Sequence, residues 1–180
     1  LFIEVPDFSK SPFDILVSDH TSHFTKSDFN LMNKSLEFEK IFLYSDKIPK
    51  EISFLLKKNQ IIKKKKIDQP INKKIFNYKK NILIKYLNNY KIFITKINKI
   101  DHKFAIFGTS IAATWIAQSL KNKNYVFIDQ DIDKIGNTHM SKKIYSINNL
   151  MDFKKIIMPF RRDVALTIIK RLQLPKKMFI

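Results

Sequence analysis

Short apolar runs separated by polar turns recur along the chain, and most of them have the length of a β-strand. Residues 1–5, 104–107, 125–128 and 155–158 are such runs. A run without polar alternation is typical of a parallel strand that is covered on both faces. Segments with helical spacing or helix-capping residues lie between these runs, so strands and helices alternate. The alternation predicts an α/β fold with a Rossmann-like parallel sheet and flanking helices.

The first part of the chain has the order strand, loop, helix, strand. A second apolar segment, at residues 13–17, is interpreted as a strand. Thr25 or Ser27 can cap a helix that has Asp28 in its first turn. Residues 39–44 have the composition of a further strand. This order is that of the closing part of an open α/β sheet.

A lysine-rich stretch connects this part to the next one. The run at residues 63–66 consists of like charges, which repel one another and favour a solvated linker. Residues 71–99 place apolar side chains at helical spacing, which predicts a long connecting helix. Residues 91–97 also alternate enough to form a strand, so the end of this helix stays open. The sequence therefore predicts three segments, at residues 1–58, 59–100 and 101–180.

Composition narrows the class of protein. The chain lacks cysteine, which excludes disulfides and thiolate metal sites and is consistent with a cytoplasmic protein. No apolar run approaches the roughly 18–20 residues that a membrane span needs, so no membrane partner is expected. The net charge is +18, but it comes almost entirely from lysine, and only three residues are arginine. Specific nucleic-acid surfaces favour arginine, so nucleic acid is not expected as the main ligand.

Residues 103–130 have the pattern of a strand, a glycine turn, a helix start and a second strand. Gly108 and Thr109 follow the first strand, and Ser110 can cap the helix. Backbone N–H groups at such a turn bind anions. Asp129 follows Gly108 by 21 residues, close to the spacing of a ribose-binding carboxylate. A nucleotide site and a turn without a ligand both remain open, because Ser110 stands where the dinucleotide motif has its second glycine.

Two further groups carry candidate chemistry. Arg161 follows the run at residues 155–158, so it is expected at the same sheet edge, where it would bind phosphate or simply start a solvated helix. His20 follows Asp19 after an apolar segment; it can act as a general base supported by that carboxylate, or it can lie in an ordinary solvated loop. His23 adds a second histidine, but no further ligand cluster appears, so no metal is expected.

The order of short motifs resembles the late half of a class I S-adenosylmethionine-dependent methyltransferase related to NDP-sugar C-methyltransferases, followed by that family's C-terminal domain. The resemblance covers most of the chain and depends on the order of the motifs more than on any one of them. The motifs are Ile3-Glu4-Val5-Pro6, Phe13-Asp14-Ile15, Asp19-His20 with Ser22 and Phe24, Phe107-Gly108, Val126 to Asp129, Asp133-Lys134-Ile135-Gly136, and Ile156 to Pro159.

The resemblance implies that His20 is the base that deprotonates the sugar carbon and that Asp19 is its acidic neighbour. Val17 and Ser18 replace the tyrosine and the first histidine of the family's segment. Residues 1–58 would be the remnant of a methyltransferase-like domain in a longer protein, as the first residue, Leu1, also indicates. The family's S-adenosylmethionine site belongs to the preceding half, so the donor is expected to bind only in the full-length protein.

The same resemblance implies a nucleotide-sugar, or a related small molecule, as the partner of the C-terminal domain. The expected nucleotide-binding residues are Gly108, Thr109, Ser110, Asp129 and Arg161. Two alternatives remain open. One is a non-catalytic Rossmann-like module that binds a nucleotide or a partner protein. The other is an NAD-binding domain, which the spacing of Gly108 and Asp129 allows.

Overall fold

The computed structural model describes residues 1–29, 38–44, 50–58, 72–173 and 175–180. The chain divides into two compact units, Leu1–Leu87 and Asn88–Ile180. The division falls within a 25-residue helix, α1 (Lys73–Ile97), and so inside the segment that the sequence assigns to a connection. The helix is continuous, so the alternative strand at residues 91–97 is wrong. Within the described ranges, no helix combines the length and the apolar character needed to cross a membrane.

The first unit is built on an antiparallel sheet of three strands. These strands are β1 (Phe2–Pro6), β2 (Phe38–Tyr44) and β3 (Glu51–Lys58). Their order is β1-β3-β2, with β3 antiparallel to both neighbours. The core on this sheet joins Phe29 to Ile52, Phe54 and Leu56, and the Phe29 and Phe54 rings stack with centroids 3.8 Å apart. The strand predicted at residues 39–44 is therefore confirmed.

The strand predicted at residues 13–17 is wrong. Pro12–Leu16 is a 3₁₀ helix with the proline in its first turn. Proline fixes φ near the helical value and removes a backbone donor, which suits a helix start better than a strand. Asp14 is the buried residue of this short helix. This segment therefore forms a helical turn with a buried polar side chain, where the sequence pattern predicts an apolar strand.

The second unit is a five-stranded sheet in the order β6-β7-β5-β4-β8. The strands are β4 (Phe104–Phe107), β5 (Tyr125–Asp129), β6 (Thr138–His139), β7 (Lys142–Ser146) and β8 (Ile156–Ile157). All are parallel except β6, which forms an antiparallel hairpin with β7. Helices α2 (Ile111–Ser119) and α3 (Arg162–Arg171) follow β4 and β8. The predicted Rossmann-like α/β fold is confirmed.

The apolar runs of this sheet are continuous because its central strands are buried on both faces. On β4, Phe104 and Ile106 belong to one core cluster, and Ala105 and Phe107 belong to another. Phe127 of β5 likewise lies in the first cluster, while its neighbours in the strand lie in the second. Side chains alternate between the faces of a strand, so a strand covered on both sides needs apolar residues at every position.

Candidate functional site

Two histidines of the first unit share one buried carboxylate. The Nδ1 atom of His20 lies 2.6 Å from Oδ1 of Asp14, and the Nδ1 atom of His23 lies 2.6 Å from Oδ2 of the same residue. A carboxylate only accepts hydrogen bonds, so each Nδ1 carries a proton and donates it. In the neutral form of either ring, Nε2 is then the atom that can accept a proton or a hydrogen bond.

Successive turns fold the chain around Asp14. The amide of Asp14 donates to the Ser11 carbonyl, the amide of Val17 donates to the Asp14 carbonyl, and the amide of His20 donates to the Val17 carbonyl. The Asp14 side chain is 5% exposed, whereas that of His20 is 39% exposed. Burying a carboxylate is costly unless it is hydrogen-bonded, and the two histidines satisfy it. His20 is therefore both held by the protein and open to a ligand.

The carboxylate predicted to support His20 was Asp19, and the structure supplies Asp14 instead. Asp19 is exposed, and the contact described for it is the hydrogen bond that its carbonyl accepts from the amide of Thr21. Asp14 lies six residues before His20, so only the turns between them bring the two side chains together. The signal that could have found it is a charged residue inside an otherwise apolar segment, Phe13-Asp14-Ile15.

His23 is fixed from two sides. Its ring stacks on Phe8, with centroids 5.0 Å apart and an interplanar angle of 27°. Phe8 is buried, and its carbonyl accepts a hydrogen bond of 3.0 Å from the hydroxyl of Tyr86. The ring of His23 is thus held in one orientation by the stacking contact and by Asp14 together.

The predicted helix start after His23 is confirmed at Thr25. The amide and the hydroxyl of Thr25 both donate to Oδ2 of Asp28, at 2.7 and 2.8 Å. The Nζ atom of Lys79 lies 3.3 Å from the other oxygen of Asp28. Both carboxylate oxygens of Asp28 are therefore paired within this unit.

A glycine turn lies at the carboxyl edge of the second sheet, as predicted. Gly108 has a φ of 77° and its amide donates to the Ile128 carbonyl at 2.7 Å. The left-handed φ is what favours glycine here, since an added Cβ would meet only Phe160, at 3.8 Å. Ser110 caps α2, and its Oγ accepts a hydrogen bond from the Ala113 amide. The predicted turn and cap are thus both confirmed.

Asp129 ends β5 at this edge, but its carboxylate already has partners. It is 6% exposed, and its Oδ1 accepts a hydrogen bond of 3.0 Å from the Asp131 amide. The Nζ atom of Lys134 lies 3.8 Å from Oδ2 of Asp129 and 3.5 Å from Asp131. Asp129 therefore stabilises the turn that follows β5, and a ribose would compete with these contacts.

Arg161 precedes α3, as predicted, and it is paired with an acidic residue. Its Nε donates to Oδ1 of Asp163 at 2.6 Å. This hydrogen bond lowers the pKa of the Asp163 carboxyl below its ordinary value. A phosphate bound at Arg161 would therefore share the guanidinium with Asp163.

The strand order brings the predicted nucleotide residues to one edge. β4 lies between β5 and β8 and is parallel to both, so their carboxyl ends point the same way. Gly108, Thr109 and Ser110 follow β4, Asp129 ends β5, and Arg161 follows β8. After β4 the chain continues to β5, which lies on one side of β4 in the sheet, whereas the later strand β8 lies on the other side of β4. In open α/β sheets, ligands bind where the strand order reverses in this way.

His139 is a polar contact at this sheet that the sequence did not predict. Its Nε2 lies 2.8 Å from Oγ1 of Thr114, 25 residues away in the chain, and its ring packs edge-on against Phe127 at 4.7 Å. Burial lowers the pKa of His139, and the positive charge of Lys134 lowers it further. The sequence contained no local signal for this pair, because the two residues lie 25 positions apart and meet only through the packing of β6 near α2.

Metal binding gains no support from the side chains. Across residues 1–29, 50–58, 72–173 and 175–180, no group of three or more His, Asp or Glu residues is arranged to hold a metal ion. In the Asp14 cluster, the carboxylate oxygens face ring nitrogens that carry protons. The close contacts of Asp14 with His20 and His23 are hydrogen bonds.

No protein-family model matches the chain, and no curated protein matches it.

Proposed function

We propose that this chain is the C-terminal portion of an S-adenosylmethionine-dependent methyltransferase that acts on a nucleotide-linked sugar or a similar metabolite. In this proposal His20 is the general base. The observation that carries it is the 2.6 Å contact between Nδ1 of His20 and the buried carboxylate of Asp14. The order of sequence motifs around His20 is the second support.

The Asp14 contact suits His20 to proton removal. Nδ1 holds its proton against the carboxylate, so Nε2 is the atom that takes the proton from an acceptor carbon next to a carbonyl. The C–H bond breaks, an N–H bond forms at Nε2, and the electron pair passes into the adjacent carbonyl. Asp14 then stabilises the positive charge on the ring. Asp14 is therefore a positioning residue. The family resemblance implies this role for Asp19 instead.

S-adenosylmethionine supplies an electrophilic methyl group when it is bound. The described residues of the first unit do not fit it, because a donor site of this class needs a glycine-rich loop. Both glycines of the chain, Gly108 and Gly136, lie in the second unit. No step through the donor is therefore assigned to these residues, and their part in the reaction is proton removal and substrate binding.

The proposal is tested by measuring the rate at which the full-length protein transfers a methyl group to a keto-sugar nucleotide. We expect His20→Gln to abolish transfer while nucleotide binding stays unchanged. Asp14→Asn should lower the rate and change its dependence on pH, and Asp19→Asn should leave both unaltered. His102→Gln is the matched control, because His102 also donates from Nδ1 to a neighbouring carboxylate, that of Asp101, in the second unit. Unchanged turnover in His20→Gln would remove His20 from the mechanism.

The second candidate function is a non-catalytic nucleotide-binding module. It is favoured by the left-handed Gly108 turn and the Ser110 cap at the edge where the strand order reverses. Calorimetric titration with dTDP, UDP, NAD and S-adenosylmethionine separates the candidates. Binding of dTDP or UDP without methyl transfer supports the module. Binding of NAD alone contradicts both the sugar-nucleotide module and the methyltransferase.

A further inference from the structure

A groove of about 590 Å³ lies in the first unit, between the first part of α1 and side chains from residues 8–28. Its volume is in the range of sites for small molecules. Most of its wall is apolar, and the apolar side chains are Phe8, Ile15, Ile75, Phe76 and Leu83. Phe76 and Leu83 are 57% and 38% exposed, so solvent reaches this wall. Exposed aromatic and aliphatic side chains around a concavity favour an apolar ligand.

The groove is also lined by one histidine ring whose Nδ1 atom is already paired. His23 lines it, whereas His20 does not. Nδ1 of His23 donates to Asp14, and the ring is stacked on Phe8, which lines the same groove. The nitrogen left for a ligand is therefore Nε2, which accepts a hydrogen bond in the neutral ring. A ligand that donates one hydrogen bond would complete the pairing of this histidine.

Asp28, Lys79 and Lys80 are the other charged residues that line the groove, and two of them are paired with each other. Asp28 accepts two hydrogen bonds from Thr25, and it forms an ion pair with Lys79. Lys80 also lines the groove and is exposed. Its ammonium group would attract negative charge on a ligand, within the limits that solvent screening sets. A sugar suits this wall poorly, because most of its hydroxyls would face apolar side chains without a partner.

We infer that this groove binds an apolar aromatic molecule that carries one weakly acidic hydroxyl, such as a substituted phenol. The hydroxyl donates a hydrogen bond to Nε2 of His23, and when the O–H bond breaks the proton passes to that nitrogen. The aromatic body packs on Phe8 and Phe76, and Lys80 stabilises the negative charge left on the oxygen. The site is distinct from the nucleotide edge of the second unit. It does not depend on the proposed reaction, because proton removal is assigned there to His20 and not to His23.

The direct test is titration of the whole chain with para-nitrophenol, whose visible absorbance reports whether the hydroxyl is ionised. We expect saturable binding, a shift of the absorbance towards the phenolate, and a change in the side-chain NMR signal of His23. Para-nitroanisole has the same ring with the hydroxyl methylated, so it should bind about fivefold more weakly. Equal affinity of the two compounds would contradict the role of the hydroxyl. The absence of any binding would overturn the site.

Two pairs of variants locate the site. Leu83→Trp fills the groove and should weaken para-nitrophenol binding by about tenfold or more. Leu87→Trp introduces the same ring at an exposed position of α1 outside the groove, and should bind like the wild type. His23→Asn keeps a donor for Asp14 but removes the Nε2 acceptor, so it should lose the absorbance shift. His20→Asn should keep it. Equal binding by the two leucine variants, or a retained shift in His23→Asn, would overturn the inference.

Discussion

Asp14 and His20 are joined by a hydrogen bond of 2.6 Å between a carboxylate that is 5% exposed and a ring that is 39% exposed. Because the two side chains differ in exposure, they can have different roles. The buried partner fixes the tautomer and the orientation of the ring, and the exposed partner can meet a ligand. His23 uses the second oxygen of the same carboxylate, so one buried charge positions two histidines.

Asp14→Asn should destabilise the first unit by about 1–3 kcal/mol, because a buried amide cannot accept from both ring nitrogens at once. The measurement is urea denaturation followed by circular dichroism. Asp19→Asn is the matched control, and its effect should stay within about 0.5 kcal/mol because Asp19 is exposed. Equal losses in the two variants would show that the shared carboxylate does not stabilise the loop.

Gly108→Ala should cost about 1–2 kcal/mol, because a Cβ is strained at a φ of 77°. Gly136 has a φ of 88°, and an added Cβ there meets no atom within 4 Å. Gly136→Ala should therefore lose a similar amount from backbone strain alone. Thermal denaturation of both variants measures this. A much larger loss at Gly108 would mean that crowding against Phe160 matters more than the backbone angle.

Glu51→Gln should stabilise the protein at neutral pH by only about 0.2–0.5 kcal/mol, because solvent screens the charge of this carboxyl. Burial raises the pKa of Glu51, and a hydrogen bond with Glu4 raises it further. A raised pKa means that this carboxyl favours folding while it is protonated and that the contribution is lost as pH rises through the raised value. The variant should therefore gain less in acid than at neutral pH.

Glu4→Gln is the control for the Glu51 prediction. The negative charge of Glu4 also raises the pKa of Glu51, so either substitution removes the same repulsion between the two carboxylates. The gains from Glu4→Gln and Glu51→Gln should therefore not add in the double variant. Urea denaturation of the four proteins at acidic and neutral pH gives the coupling. Additive gains would show that the two carboxyls act independently.

Lys134→Met should raise the pKa of His139, because the Lys134 charge lowers it in addition to burial. Because the pKa of His139 is lowered, the folded protein favours the neutral ring. This contribution to stability is fully present at a pH above the ordinary histidine pKa, and it is lost as the pH falls through the lowered pKa. NMR titration of the His139 ring signals checks the shift. Lys143→Met removes a lysine from the next strand, β7, and should leave this pKa unchanged. A common response to both substitutions would indicate a general charge effect.

Local sequence was sufficient for the central part of the second unit. A run of four apolar residues predicts β4, and a serine after the glycine turn predicts the start of α2; both depend on neighbours a few residues apart. Local sequence failed at Pro12–Leu16, where an apolar segment predicts a strand and a 3₁₀ helix forms instead. There, the proline and the burial of Asp14 outweigh the apolar pattern.

The sequence by itself determined the α/β class, the glycine turn at Gly108 and the presence of a histidine pair, because these follow from residue types at short spacing. Only the tertiary structure decided that Asp14 and not Asp19 holds His20, that His23 lines a groove with α1, and that His139 meets Thr114. The physical reason is distance along the chain. Contacts between residues six to several tens of positions apart depend on how turns and strands pack, and no local pattern specifies that packing.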